Sequence, residues 1–367
     1  MDAQLSRGML QKAAAKAALL YSDDLRFYDF GPGHPFRGDR YASFLAALRE
    51  KLGAEFPRRF DLVEPRPASL EELTLVHEVD YVKRVEAGIS WDPDTPLTPR
   101  LVEAAKLIAG SALLAAKLVA EGKYAKGVVI GGGMHHAKRS HEAGFCVFND
   151  VALCFEALVQ RHGLSRVMIL DTDAHAGDGT AELLYESPNV LFVDLHQDPR
   201  TLYPGRGFIH ELGSGPGEGR IVNIPMPPGA SDNAYEYALK EVFAPLAEEF
   251  KPQVILRNGG SDPHFADRLT NLGLTLRGLR MVGRTTAEVA DAICGGRVID
   301  LIGSGYNPTV LPYGWAALVS GLIGLDIELT EPLPPPRWLN ADAGIDATVE
   351  VVRRVKSTLS RYWRCFA

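Results

Sequence analysis

The chain has 367 residues, of which 46% are hydrophobic, and its formal net charge is −7 with a pI near 5.8. This balance gives no nucleic-acid footprint, and no apolar run reaches the roughly 18 residues that a membrane span needs. The size permits one large α/β domain or two smaller ones.

The cysteines predict the cellular compartment. Four are present, and none forms a CxxC spacing: Cys146, Cys154, Cys294 and Cys365. A cysteine zinc site or a disulfide framework is therefore not expected, and a reducing cytoplasm fits best. Residues 1–18 are interpreted as an N-terminal extension, because Lys12 and Lys16 interrupt any signal-peptide core.

In chain order, short apolar runs alternate with longer helical patterns. Strands are predicted over residues 17–21, 128–130, 167–170, 190–195, 254–256 and 298–302. Helices are predicted over 41–52, 100–121, 148–162, 233–250 and 275–294, with another helix start at Ser69. Segments 28–40, 91–99 and 198–219 are rich in turn residues. The order predicts a single-domain, three-layer α/β/α fold with a mainly parallel central sheet.

Two boundaries follow from composition. No convincing linker interrupts residues 19–330, so they are predicted to form one domain. The proline-rich stretch 331–337 begins a C-terminal segment, residues 331–367, that is expected to pack on the same body.

Chemically useful side chains follow four of the predicted strands. They are His135 and His136, then Asp171, Asp173 and His175, then Asp262, and finally Tyr306. In open α/β sheets ligands bind beyond the carboxyl ends of the strands. We therefore expect these residues to meet in one crevice.

The stretch after the third predicted strand indicates a metal site. Asp171, Asp173 and His175 alternate, so in extended backbone their side chains share a face. Burying carboxylates at a strand end is costly unless a cation compensates. With Asp262, the pair Asp173 and His175 makes the three-ligand set of a catalytic zinc site, although Fe²⁺ suits the same ligands. An arginase-like pair of manganese ions would need a carboxylate where Gly177 stands, which favours one metal.

The remaining residues suit acid–base chemistry. His135 and His136 can act as general base and general acid beside a metal. Asp171 and Asp178 flank the ligands and are available to fix the tautomers of these histidines. Tyr306, in a Gly-Ser-Gly-Tyr loop, can donate a hydrogen bond to a developing oxyanion.

These motifs together resemble the zinc-dependent histone deacetylase family, which has the arginase/deacetylase fold. The resemblance extends from about residue 21 to 316 and rests on YDFGPGHP (28–35), GGMHHAK (132–138), GFCVFND (144–150), DTDAHAGDG (171–179), YPGRG (203–207), GSD (260–262) and GSGY (303–306). The amino-terminal motif is most similar to the acetoin-utilisation-type deacetylases of bacteria and archaea.

The resemblance implies a role for each matching residue. Zn²⁺ would be bound by Asp173, His175 and Asp262. His136 would be general base and then general acid, with Asp178 behind it; His135 would assist electrostatically, with Asp171 behind it. Tyr306 would hold the acyl oxygen. The resemblance also implies a set of substrate-binding residues: Asp94, Arg40, Gly144, Phe145, Tyr203 and Leu269. Phe145 and Tyr203 would line an acyl-lysine tunnel, and Leu269 would lie near its mouth. Asp94 would bind the backbone amides of the substrate, and Arg40 would lie near an acetate-exit pocket.

The resemblance also implies a structural K⁺, held by Asp171, Asp194 and the segment that includes Leu195, with backbone carbonyls of Asp173 and His175. This sequence departs from the family there, because Asp194 replaces a common serine. Ala176 replaces a second histidine, and His264 after the predicted ligand Asp262 is unlike the eukaryotic members. Leu269 stands where polyamine-selective members can carry glutamate.

The leading hypothesis is a zinc-dependent deacetylase that hydrolyses the amide of an acetylated lysine side chain or a related small acylated amine. Hydrolysis of acetylpolyamines or other small molecules is one alternative, and a catalytically silent acyl-binding relative is another. No nucleic-acid or membrane partner is expected, and homo-oligomerisation is left open.

Overall fold

The sheet contains eight strands, all parallel to their neighbours, in the order β2-β1-β3-β8-β7-β4-β5-β6. This is a computed structural model that describes residues 16–367. The strands are β1 (Ala17–Leu20), β2 (Phe60–Val63), β3 (Lys126–Ile130), β4 (Val167–Asp171), β5 (Val190–Gln197), β6 (Ile221–Met226), β7 (Val254–Gly259) and β8 (Val298–Ile302).

Helices flank this sheet, so the predicted α/β architecture with a parallel central sheet is confirmed. The helices are α1 (Arg40–Leu52), α2 (Phe56–Arg59), α3 (Leu70–Leu73), α4 (Val79–Glu86), α5 (Pro99–Ala120), α6 (Asp150–Glu156), α7 (Asp178–Leu183), α8 (Asp232–Ala238), α9 (Ala244–Phe250), α10 (Leu276–Cys294), α11 (Leu311–Leu322) and α12 (Ile345–Leu359). Among residues 16–367, no helix has the length and apolar character to cross a membrane.

The central strands are buried along their whole length. Every residue of β4, β5, β7 and β8 is buried. A parallel sheet covered on both faces needs apolar side chains on both, which is why these strands appear in the sequence as continuous apolar runs. The polar residues in these strands are buried as well, so each needs a specific partner.

Several predicted elements differ from the observed ones. The edge strands β2 and β6 and the helix α11 were not predicted; β2 is short and only partly buried, so its hydrophobic pattern is weak. The strand predicted over 190–195 continues to Gln197, which places His196 inside β5. The helices predicted over 148–162 and 233–250 each contain a five-residue π-helical segment, at Ala157–Arg161 and Leu239–Phe243.

The structure describes only part of the predicted N-terminal extension and all of the predicted C-terminal segment. Most of the predicted N-terminal extension, residues 1–15, lies outside the described residues, and β1 already begins at Ala17. In the C-terminal segment, Glu331 accepts hydrogen bonds from His264 and the Leu276 N–H, and Trp363 donates to the Gly219 carbonyl. We propose on these contacts that residues 331–367 belong to the same domain.

A buried ion pair inside the sheet gives a test of stability. Arg257 on β7 and Asp300 on β8 are register partners, form a salt bridge and are each about 1% exposed. We expect Arg257→Met to lower the free energy of unfolding by about 3–5 kcal/mol, because the Asp300 carboxylate stays buried without its partner. Urea unfolding followed by circular dichroism measures the loss.

The matched control is Arg353→Met, which removes an arginine from an exposed pair with Glu350 and should change stability little. The double variant Arg257→Met/Asp300→Leu should recover much of the loss, since it removes both charges together. A single variant as stable as the surface control would contradict the buried-charge argument.

Candidate active site

The predicted site residues converge at the carboxyl edge of the sheet. β4 lies between β5 and β7, and Asp171 is the register partner of both Asp194 and Asn258. β8 pairs with β7 on one side and β3 on the other. Side chains that follow β3, β4, β7 and β8 therefore enter one crevice, because the ends of neighbouring parallel strands meet there.

Asp173, His175 and Asp262 form the innermost part of this crevice. All three are buried, and each offers one ligand atom such that these atoms lie within 4.8 Å of one another. Nδ1 of His175 is 3.1 Å from Oδ1 of Asp173 and 3.2 Å from Oδ2 of Asp262. No other group of three or more His, Cys, Asp or Glu side chains within residues 16–367 meets this criterion.

The electrostatics of this triad fit a divalent cation. Burial opposes the charged form of His175, but its hydrogen bonds to the two carboxylates raise its pKa to about 9. Burial and the neighbouring Asp173 charge raise the pKa of Asp262. The two buried carboxylates share one proton-binding imidazole between them, and a bound metal ion would supply positive charge at the same place.

Asp262 is held in place by groups that the sequence analysis did not single out. The Ser304 hydroxyl donates to Oδ1 of Asp262, and the Ala174 N–H donates to Oδ2 at 3.0 Å. The indole of Trp315 donates to the Ser304 carbonyl at 2.8 Å. Partners of this kind orient metal ligands. The position of Ser304 just after a predicted strand was the sequence feature that could have indicated this role.

His135 and His136 lie side by side with their Nε2 atoms 3.2 Å apart. Nδ1 of His135 is 2.8 Å from Oδ2 of Asp171, and Nδ1 of His136 is 2.8 Å from Oδ1 of Asp178. A carboxylate only accepts, so each Nδ1 carries a proton. The two Nε2 atoms lie toward each other, and His136 lines the crevice.

The two histidines differ in proton affinity. Burial opposes charge on His135, but the charges of Asp171 and Asp173 outweigh it and raise its pKa to about 10. Burial, and then the positive charge of His135, lower the pKa of His136 to about 4 despite Asp178. His136 is therefore the neutral member of the pair, as a general base must be.

Asn258 and Lys138 complete the support of these histidines. The Asn258 amide donates to Oδ2 of Asp171 at 2.8 Å, and the Lys138 ammonium lies 2.6 Å from Oδ2 of Asp178. Neither residue was predicted from the sequence to have a role. Asn258 precedes Gly259-Gly260 at a predicted strand end, which was the only local signal for it.

Gly177 admits no side chain. A Cβ built there would lie 2.7 Å from Oδ2 of Asp171 and 3.2 Å from Nδ1 of His135. A second metal would require a carboxylate at this position, and that side chain would displace Asp171 and His135. The structure thus adds a steric reason to the compositional argument for one metal.

The ring of Tyr306 lies beside His175 of the triad. Its ring centroid is 6.2 Å from that of His175 and 6.0 Å from that of Phe145. No hydrogen bond joins its hydroxyl to another residue in the described part of the chain, and burial, then Asp173 and Asp262, raise its pKa well above the usual value. Tyr306 therefore keeps its proton and has it free to donate. Its backbone N–H donates to Asp267 at 2.7 Å, another residue without a sequence-based prediction.

A cavity of about 380 Å³ leads from the surface to these residues. It is lined by Asp92, Asp94, His136, Ala143, Gly144, Phe145, His175, Leu202, Tyr203, Leu269 and Tyr306. Tyr203 and Leu269 are partly exposed at its outer end. A Cβ on Gly144 would lie 2.6 Å from the His136 ring, so glycine lets the wall approach the histidine closely.

Arg40 lies behind Tyr306, apart from that channel. It is buried, donates to the Gly303 carbonyl at 2.9 Å, and its guanidinium lies 5.7 Å from the centroid of the Tyr306 ring. Together with Tyr306 and Leu269 it lines a second cavity of about 460 Å³. This is where the structure locates the residue expected beside an acetate pocket.

The residues expected at a K⁺ site lie next to His135 and its carboxylate partner. Asp194 and Leu195 are buried in β5. Oδ1 of Asp194 is 2.8 Å from Nδ1 of His196, and Oδ2 accepts from the Gly177 N–H at 2.9 Å. A cation there would share this carboxylate with His196, because both of its oxygens already have partners.

Comparison with known proteins finds relatives both by sequence and by structure. A family model described as the histone deacetylase domain matches residues 34–322. A probable deacetylase of Archaeoglobus fulgidus is 37% identical over 359 residues, 95% of this chain and 99% of its own length. The acetoin utilization protein AcuC of Bacillus subtilis is 34% identical over 339 residues, 88% of this chain and 85% of its own. The crystal structure of the HDA15 HD domain matches with a TM-score of 0.82 and 26% identity, covering 96% of this chain and 97% of that one.

Proposed function

The chain belongs to the histone deacetylase family, and we propose that it is a zinc-dependent amidohydrolase that removes acetyl groups from lysine side chains or related primary amines. One observation carries the proposal: His136 and Tyr306 line the same channel as His175 of the triad. A carbonyl that enters this channel meets a base, a hydrogen-bond donor and a metal-binding group together.

Zinc is the metal we propose for Asp173, His175 and Asp262, because two carboxylates and one imidazole leave a coordination position open. When bound, it would supply Lewis-acid polarisation of the acyl carbonyl and lower the pKa of a water molecule to about 7. In the same proposal, K⁺ would bind structurally near Asp171 and Asp194, and the enzyme would act in the cytoplasm, as expected for a chain with no disulfide framework.

In the proposed reaction, His136, His135 and Tyr306 have different roles. Neutral His136 removes a proton from the attacking water through Nε2, while Asp178 accepts from its Nδ1 and holds the ring orientation. His135, which its raised pKa keeps positively charged and which Asp171 holds from behind, stabilises negative charge as it develops. Tyr306 donates its phenolic hydrogen to the acyl oxygen. His136 then passes the proton to the departing amine, which leaves as the C–N bond breaks.

The channel walls select for a narrow acylated chain. Phe145 and Tyr203 bound the channel, and the backbone φ of Phe145 is +66°, a conformation that non-glycine residues adopt rarely. The ring of Tyr203 lies 5.0 Å from that of His136. An extended alkyl chain between two aromatic rings buries apolar surface while its amide reaches the histidines.

A substrate panel tests the proposal. On zinc-loaded protein, we expect an acetyl-lysine peptide to be hydrolysed with a higher kcat/KM than longer-chain acyl-lysine peptides, because the side chains of His136, His175 and Tyr306 line the channel around the position of the acyl group. Release of the free amine, followed by mass spectrometry, is the measurement. Failure to deacetylate any acyl amine after zinc addition would revive the silent-relative hypothesis.

Hydrolysis of acetylpolyamines is the second candidate, favoured by two carboxylates, Asp92 and Asp94, at the channel mouth. Acidic rims attract cationic ligands. Against it, Leu269 supplies no charge, and Asp92 already accepts hydrogen bonds from the Asp94 N–H and the Thr95 hydroxyl. Direct competition between acetyl-lysine peptide and acetylspermidine separates the candidates: the preferred substrate suppresses hydrolysis of the other.

A further inference from the structure

The loop between α4 and α5 carries Asp94 at the channel mouth, and a buried residue directly before the channel-lining segment 143–145 holds this loop. That residue is Glu142, whose side chain is fully buried. Its Oε1 accepts from the Ser90 hydroxyl at 2.8 Å, from the Trp91 N–H, and from the Asp92 N–H at 3.2 Å. The carboxylate thus binds three consecutive loop residues just before Asp94.

Arg84 of α4 completes the arrangement. Its guanidinium donates to both carboxylate oxygens of Glu142, at 2.8 and 3.2 Å, and to the Ile89 carbonyl at 2.8 Å. It also lies 3.8 Å from the centroid of the Trp91 ring. Burial opposes charge on Glu142, but Arg84 and the backbone and Ser90 donors outweigh it and lower its pKa to about 2.

The same loop is joined to the wall at its other end. The Thr95 hydroxyl accepts from the Phe145 N–H at 3.1 Å and donates to Asp92 at 2.6 Å. Glu142 lies three residues before Phe145 in the chain. Loop and channel wall are therefore connected on both sides of Asp94, while no hydrogen bond joins the Asp94 carboxylate to another residue that the structure describes.

A carboxylate suits this site because every neighbouring group donates and a carboxylate only accepts. Glu142 receives four N–H or O–H groups on Oε1, from Arg84, Ser90, Trp91 and Asp92, and one on Oε2, from Arg84. Glutamine keeps the shape but offers one acceptor oxygen and an NH₂ that would face donors. It would also leave Arg84, whose side chain is 11% exposed, without its counter-charge.

We propose that Glu142 is a positioning residue for peptide substrates: by holding residues 90–92 against the channel wall, it sets Asp94 where a carboxylate can accept hydrogen bonds from the backbone N–H groups that flank an acylated lysine. This rests on the proposed deacetylase function and on the role that the resemblance implies for Asp94; what the hydrogen bonds add is that Glu142 positions it. Glu142 touches no reacting atom, so its effect reaches the substrate only through Asp94.

The test compares Glu142→Gln with wild type on two substrates, an acetyl-lysine peptide and N-acetylbutylamine, which has no flanking amide. We expect KM for the peptide to rise about tenfold, since charge-assisted hydrogen bonds to the substrate are lost, with kcat little changed. Hydrolysis of N-acetylbutylamine should be unaffected. A structural defect alone would change both substrates.

A double-mutant cycle with Asp94→Asn identifies the route. If Glu142 acts through Asp94, adding Glu142→Gln to Asp94→Asn should not raise the peptide KM further; additive effects would overturn the proposal. So would an unchanged peptide KM in the single variant. Wild type that hydrolyses neither substrate would instead refute the proposed function.

Two further variants keep the test decisive. Ser90→Ala removes one of the five hydrogen bonds to Glu142 and should raise the peptide KM by less than Glu142→Gln does. This variant replaces Glu142→Gln in the test if Glu142→Gln folds poorly. Glu350→Gln is the matched control, because it neutralises an exposed glutamate paired with Arg353 far along the chain in α12. If the control raises the peptide KM as much as Glu142→Gln, the effect is not specific to the loop and the proposal fails.

Discussion

Tyr306→Phe is expected to lower kcat on an acetyl-lysine peptide by about 10²–10³, the usual loss when one donor to an oxyanion is removed. The phenol faces His175 across the channel, and its raised pKa keeps the proton available at neutral pH. Phenylalanine preserves the ring contacts and the backbone bond to Asp267. Metal content and KM should therefore stay close to wild type.

Steady-state kinetics together with metal analysis check this expectation. Tyr313→Phe is the matched control, since Tyr313 is a partly buried tyrosine of α11 outside the channel and should retain full activity. Wild-type kcat in Tyr306→Phe would remove Tyr306 from the reaction. Loss of metal together with activity would show that the substitution disturbed the triad instead.

His175→Ala is expected to abolish both metal binding and turnover. Loss of an outer-shell partner typically lowers metal affinity about 10–100-fold, and removal of a direct ligand should exceed that. The variant also leaves two buried carboxylates, Asp173 and Asp262, next to each other without a cation. Metal stoichiometry by mass spectrometry and melting temperature with and without zinc are the measurements.

In wild type, zinc at 100 times its Kd should add about 2.7 kcal/mol of stability, and a chelator should remove it. His175→Ala should show no such zinc-dependent change in melting temperature. His210→Ala, at an exposed loop histidine, is the control and should behave as wild type. A His175→Ala protein that still binds one zinc with similar affinity would refute the ligand set.

Local patterns were sufficient for the parallel sheet and for the family. The apolar runs that became β3, β4, β5, β7 and β8 are visible because parallel strands are buried on both faces, and the family inferred from the ordered motifs is confirmed by the comparisons. The alternation of Asp171, Asp173 and His175 predicted a shared strand face, but β4 ends at Asp171, so the positions of Asp173 and His175 depend on the loop that follows. Weakly buried edge strands such as β2 were not predicted, because they lack a continuous apolar run.

The partners of each site residue depended on the fold. Asn258 meets Asp171 because β7 and β4 are paired in one register, and Ser304 meets Asp262 across 42 residues of sequence. Glu142 holds residues 90–92 across about 50 residues, and Asp194 pairs with His196 because β5 continues to Gln197. Spacing along the chain predicts which side chains share a strand face, whereas hydrogen bonds between distant segments depend on strand register and loop path, which exist only once the chain has folded.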